Sequence, residues 1–288
     1  MSFPQASSSQ PDSNPSSSYQ WDNFLRNLGE WRGSFTRLSP QGQVDQDTPS
    51  TLILEKCNQN QVRLTLKFFS PETGALEQEK SLAFESIGPN IVFFENGAFS
   101  QGSLQVGPFS QFGGEFGFVA GDRRLRVVQL YNPESHLSQI TLIREQRAGS
   151  NAPERPPLSV ENLLGTWQGH ATTRYADLQP TAHYETQLVV ERQGDRLYQH
   201  IHTAKVDVSS SASISGSTLL FDQGGFPIQV LLLPDGGSSA TPLTVPKGQP
   251  FFLEVGWLLE TGLRQRLIRS YDAQGRWLSV TQVIEQQQ

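Results

Sequence analysis

Two arginines, two tyrosines and two glutamates occupy matched places in this 288-residue chain. Arg126, Tyr131, Thr141 and Glu145 recur as Arg266, Tyr271, Thr281 and Glu285, at a constant offset of 140 positions and without a gap. A guanidinium presents forked donors that suit a fatty-acid or propionate carboxylate. The same residue inside a barrel can instead brace it by hydrogen-bonding chain carbonyls. Arg126 and Arg266 share strand parity with Val128 and Ile268, whereas Tyr131 and Tyr271 have the opposite parity. Without a bulge, Arg and Tyr therefore cannot face one cavity. Glu145 and Glu285 end the last strand of each half, where they could pair with the arginines or stay solvated.

Four of the five histidines fall in the second half, as His170, His183, His200 and His202. His200 and His202 are two apart, so on a strand they share a face with Tyr198. Two such imidazoles could take a metal or a haem axial position. No carboxylate or Cys at ligand spacing accompanies them, and an exposed polar face is the simpler expectation. No Gly-x-Ser-x-Gly, His-Glu-x-x-His or phosphate-cradling Gly-rich loop occurs, so neither a catalytic residue nor a cofactor is expected. Cys57, the single cysteine, excludes an intrachain disulfide and reads as a small residue at a strand end.

The elements that must position these groups are strands. Val62, Leu64, Leu66 and Phe68 alternate with polar neighbours, which marks a sheet with one covered face. Similar short runs follow throughout, separated by turns such as Pro71-Glu-Thr-Gly74, Asn96-Gly97 and Pro234-Asp-Gly-Gly237. Helices are expected only over Tyr19 to Leu28 and Ser159 to Leu164. Each lies just before a copy of Leu-Gly-x-Trp-x-Gly, at Leu28-Gly29-Glu30-Trp31-Arg32-Gly33 and Leu164-Gly165-Thr166-Trp167-Gln168-Gly169. Matching starts and matching ends, in one order, indicate a duplicated domain.

The expected organisation is a disordered Ser/Pro/Gln-rich arm (1–18), a first barrel (19–147), a Pro-rich linker (148–157) and a second barrel (158–288). The fold class is all-β: two tandem antiparallel up-and-down barrels, each opened by a short helix, with a β-sandwich as the competing architecture. Seventeen Phe, five Trp and six Tyr supply packed cores. The net charge of −6, with no basic run, excludes sequence-independent nucleic-acid binding. No apolar run is long enough to span a membrane, and the first residues carry no secretory leader, so a cytoplasmic location is expected.

The two Gly-x-Trp motifs, each followed by a meander of strands, resemble the calycin superfamily, which includes lipocalins and fatty-acid-binding proteins. There Gly-x-Trp opens the first strand and its Trp plugs the barrel floor, a role the resemblance gives to Gly29 with Trp31 and Gly165 with Trp167. The closing strands, Arg126 to Glu145 and Arg266 to Glu285, are similar to those of the S- and T-type cyanobacterial bilin lyases. The double layout looks like a two-lobed calycin family of cyanobacteria and plastids without settled function.

Three functions are then open. The chain could be a non-catalytic carrier of an apolar carboxylate, such as a fatty acid, a carotenoid-derived molecule or a tetrapyrrole. It could instead be a lyase-like chromophore attachment factor, or an assembly protein with filled barrels and a protein partner. The candidate ligand-binding residues are Arg266, Tyr271, Tyr198, His200 and His202, with Arg126 in the first half. The first half, rich in Phe, is expected to be filled by rings, and its loop Gln105 to Gly114 to fold over a barrel mouth. The ligand is expected in the second half.

Overall fold

The computed structural model describes residues 15–177, 179–204 and 206–288, and residues 1–14, most of the expected arm, lie outside them. Helix α1 (Pro15–Leu25) leads into nine strands. These are β1 (Gly29–Leu38), β2 (Val44–Asn58), β3 (Gln61–Phe69), β4 (Leu76–Phe84), β5 (Ile91–Phe93), β6 (Phe99–Gly102), β7 (Phe112–Ala120), β8 (Arg123–Tyr131) and β9 (Leu137–Arg147). Their sheet order is β4-β3-β2-β1-β9-β8-β7-β6-β5, antiparallel throughout. The sheet curls, but β4 and β5 are not hydrogen-bonded to each other, so the first lobe keeps an open seam. Strand β4 is exposed along nearly its whole length and carries Glu77, Glu79 and Lys80, charges that discourage pairing with another chain at a free edge.

The second lobe closes completely. After a 3₁₀ turn at Glu161–Leu163 come β10 (Gly165–Tyr175), β11 (Ala182–Gln193), β12 (Arg196–Thr203), β13 (Asp207–Ser215) and β14 (Thr218–Phe221). Then follow β15 (Ile228–Leu232), β16 (Gly237–Pro242), β17 (Phe251–Glu260), β18 (Leu263–Tyr271) and β19 (Trp277–Gln287). β19 pairs back onto β10, which leaves no edge. Both lobes are up-and-down meanders, as the alternation and the turn residues imply. Among the described residues, no helix is long and apolar enough to cross a membrane.

The lobes are fastened by a reciprocal exchange. The Val106 amide donates to the Gly275 carbonyl and the Trp277 amide to Leu104, each at 2.9 Å. In the opposite sense, Leu137 donates to Leu243 and Val245 to Ser135, again at 2.9 Å. Each lobe thus lends one loop to the other's closing hairpin, the pattern of a self-complementary two-fold interface within one chain. The loop expected to cover a barrel mouth therefore reaches across to its partner lobe. Between the loops, the outer faces of β7 and β8 (Phe112, Phe116, Phe118, Leu125, Val127) bury against Phe251, Leu253, Val255, Trp257 and Leu267.

One turn of this exchange departs from its counterpart. Phe109 has φ 60° and is 91% exposed, three residues before β7, whereas Gly248, three residues before β17, has φ 70°. A side chain in the left-handed region is strained, and this ring gains no burial in return. Phe109→Gly is expected to stabilise the chain by about 1 kcal/mol after allowing for the freer unfolded state. Urea unfolding checks this, and a lower midpoint would show that the ring makes a contact worth keeping.

Candidate functional site

Arginines on β8 alternate with apolar residues, so Leu125 and Val127 face the other lobe while Arg124 and Arg126 point into the first barrel. Opposite them, Glu145 on β9 is fully buried. Arg124 grips it bidentately, Nε to Oε2 at 2.7 Å and Nη2 to Oε1 at 2.9 Å. Arg126 does the same at 3.1 and 3.0 Å and extends Nη1 to Glu115 on β7 at 2.8 Å. Gln101 on β6 completes the set by donating to the other Glu115 oxygen at 2.6 Å. Two arginines and two glutamates leave the cluster electrically neutral. Burial pushes the Glu145 carboxyl up, but the two guanidiniums outweigh it and hold the group at about 2.

The same cluster stands in the second lobe. Glu285 takes Arg264 at 2.5 Å and Arg266 at 3.1 and 3.2 Å, and Arg266 reaches Glu254 at 3.2 Å. The final Gly of each repeated motif sits directly across the sheet from the buried carboxylate, Gly33 from Glu145 and Gly169 from Glu285. A Cβ on Gly33 would stand 1.8 Å from the Arg144 carbonyl oxygen, and one on Gly169 2.5 Å from the Thr186 hydroxyl. Close backbone approach therefore requires glycine at Gly33, whereas at Gly169 it is the side chains of Thr186, Glu285 and Val283 that crowd the position. Trp31 and Trp167 lie beneath the clusters, fully buried, and their indole N–H groups donate to the Asn27 and Leu163 carbonyls at 2.9 Å. Arg124 and Arg147 stack on Trp31 at 4.6 and 4.4 Å, and Arg264 on Trp167 at 5.0 Å. Gly29 and Gly165 enter these strands with φ 126° and 107°.

Above the first cluster lies a cavity of about 530 Å³. Its walls are Phe35, Leu52, Leu54, Leu64, Leu66, Phe84, Phe93 and Phe99, with Phe24 of α1 at the side. Arg124, Arg126, Glu115 and Gln101 form its polar end, and Leu82 lines it on β4, next to the open seam. The first half is thus not filled by its rings. Phe112, Phe116 and Phe118 have the opposite parity and pack between the lobes, so they leave the interior empty. The second barrel holds a pocket of about 430 Å³ on one side of Arg266 and Glu254 and one of about 70 Å³ on the other.

Of the residues proposed from sequence, Arg126 and Arg266 line these cavities. Tyr271 does not join Arg266 there. It lies at the seam between lobes, stacked 4.9 Å from Phe251, with its hydroxyl on the Ser103 carbonyl at 3.1 Å. Tyr131 mirrors it, donating to Pro242 at 2.7 Å, and burial pushes its phenol up. Tyr198, His200 and His202 lie on the outside of the barrel, because Leu197, Gln199 and Ile201 take the inward parity of β12. Both imidazoles bond Asp207, at 2.5 and 3.2 Å, and these bonds hold its carboxyl below the usual range. Among the described residues, no group of three or more His, Cys, Asp or Glu is arranged to hold a metal ion. Sequence reasoning missed Arg124, Arg264, Glu115, Glu254 and Gln101. The two arginines carried a signal, since they repeat at the same offset of 140 as Arg126 and Arg266.

Residues 17–150 match the N-terminal domain of unknown function DUF3598. Residues 154–288 match the C-terminal domain of biogenesis factor required for ATP synthase 1. The crystal structure of a DUF3598-family protein of unknown function from Nostoc punctiforme is 47% identical, with 93% of this chain and 99% of that one covered and a TM-score of 0.88. The S-type phycobiliprotein lyase CPES of Guillardia theta is 9% identical, covering 45% of this chain and 90% of that one, with a TM-score of 0.36. Kievitone hydratase of Nectria haematococca is 10% identical over 91% and 90% of the two chains, with a TM-score of 0.22. The last two likenesses are too slight to argue from. A search of curated proteins finds no match.

Proposed function

The chain belongs to the DUF3598 family, and on that premise we propose that it is a non-catalytic binding or carrier protein for a small apolar molecule with an acceptor oxygen at one end. A fatty acid is the simplest such ligand, and a tetrapyrrole propionate presents the same head group. The observation that carries this reading is the first-lobe cavity, apolar along its walls and polar at one end. Arg124 spends Nε and Nη2 on Glu145, which leaves Nη1 with no hydrogen bond among the described residues and the side chain in the cavity lining. That N–H group suits a carbonyl or carboxylate oxygen. The balanced charge of the cluster makes the interaction one of hydrogen bonding more than of ion pairing.

Displacement of an anilinonaphthalene dye by dodecanoate tests the proposal. Leu64→Trp, which fills the cavity, is expected to weaken dodecanoate binding about tenfold or more, equivalent to about 1.4 kcal/mol. Equal binding by a stably folded Leu64→Trp chain would place the ligand elsewhere.

A second reading is favoured by the match of residues 154–288 to the C-terminal domain of an ATP synthase biogenesis factor. In that reading the chain helps to assemble a protein complex. Deleting its gene from the organism that carries it would then lower assembled ATP synthase on native gels, and unchanged assembly would dismiss the reading.

A further inference from the structure

Two cross-strand pairs occupy the same place in the two lobes. In the first lobe, Gln101 on β6 faces Glu115 on β7, and in the second, Ala240 on β16 faces Glu254 on β17. The acid is kept and its amide partner is not. Glu115 is therefore saturated, with Arg126 on one oxygen and Gln101 on the other. Glu254 receives Arg266 on Oε1, at the longer distance of 3.2 Å, and its Oε2 has no partner among the described residues. Arg264 and Arg266 meanwhile both commit to Glu285, so within this lobe Glu254 has fewer cationic partners than Glu285.

That oxygen belongs to a side chain lining the pocket of about 430 Å³ inside the closed barrel. The pocket has an apolar wall with Ile201, Ile268 and Val283, and hydroxyls near its other side. Thr173 bonds Thr281 at 2.7 Å and Tyr184 at 3.3 Å. An unpartnered carboxylate oxygen accepts hydrogen bonds and repels another anion, and a charged acceptor strengthens each bond it receives.

We propose that the second lobe is a separate binding site for a small amphiphile whose head group donates hydrogen bonds, an ammonium above all and an alcohol next. The two lobes of one duplicated fold then select head groups of opposite character: an acceptor at Arg124 in the first, a donor at Glu254 in the second. The pocket at Glu254 is not the counterpart of the first-lobe cavity: that counterpart, lined by Ala240 and Arg264, shrinks to about 70 Å³, and the larger pocket opens on the other side of Glu254, beside Thr173 and Thr281.

Three probes with one hydrocarbon chain decide this on the intact protein at neutral pH: hexylammonium, hexan-1-ol and hexanoate. Methyl NMR titration should show hexylammonium, and more weakly hexan-1-ol, shifting Ile201, Ile268 and Val283. Hexanoate should bind there about tenfold more weakly than hexylammonium, or less, as loss of a hydrogen bond to a charged group implies. Glu254→Gln, which removes the charged acceptor from the pocket, should weaken hexylammonium binding by a similar factor. Hexanoate binding as well as hexylammonium at those methyls, or hexylammonium leaving them unshifted, would overturn the proposal. The comparison on the unaltered chain decides it even where a substitution impairs folding.

Discussion

Replacing Glu145 with Gln is expected to destabilise the chain by about 3–5 kcal/mol, the usual consequence of removing one partner from a buried ion pair. Glu145 has no exposed side-chain surface and accepts four hydrogen bonds from two arginines. Glutamine keeps the shape but offers one acceptor oxygen and no charge, so Arg124 and Arg126, side by side on one face of β8, would have only Glu115 to balance them. The carboxyl is held at about 2 against an ordinary 4.5, so its native pKa is the lower one. Its stabilising contribution is therefore fully present above about pH 4.5 and is lost as pH falls toward 2. Urea unfolding at pH 7 and pH 3 reads both effects. The variant should be much weaker than the parent at pH 7, and the gap should narrow at pH 3. A gap below about 1 kcal/mol at pH 7 would mean that loss of the carboxylate leaves no uncompensated buried charge, and would contradict the expectation.

Separating the lobes should have a still larger effect. A chain cut within residues 148–157 and expressed as two pieces should yield neither half as a folded monomer. Phe112, Phe116 and Phe118 on one side, and Phe251, Leu253 and Trp257 on the other, would become a contiguous exposed patch of a kind that soluble monomers rarely carry. The exchanged loops would also lose their partners, Leu104 and Val106 on one lobe and Leu243 and Val245 on the other. Buried polar ties would break as well. Arg123 bonds Asp235 at 2.7 Å, and Gln129 bonds Ser239 at 2.8 Å. Co-expressed pieces should instead recover as a one-to-one complex on size exclusion, with stability set by concentration. A cooperative thermal transition from either half alone, as a monomer, would refute the shared core.

Much of this architecture is legible in the sequence. The doubled Trp motif and the offset of 140 between Arg126 and Arg266 disclosed the duplication. Strand parity alone separated Arg126 from Tyr131, and the structure places one in a cavity and the other between lobes. Periodicity reports that a face is covered, not what covers it. For that reason Phe116 and Phe118 looked like barrel filling, when it is the other lobe that buries them. The same limit applies to His200 and His202. Their spacing put them on one face, but only the inward turn of Leu197 and Ile201 decides that the face is the outer one. Closure was equally hidden, since β4 and β12 read alike as strands although only β12 finds partners on both sides.

The direct test of the binding proposal is a crystal structure of the chain grown with dodecanoate. Density is expected along Leu52, Leu64 and Phe93, with a carboxylate oxygen within hydrogen-bond distance of Arg124 Nη1. Density confined to the second barrel or to the surface, with the first-lobe cavity unoccupied by ligand, would contradict it.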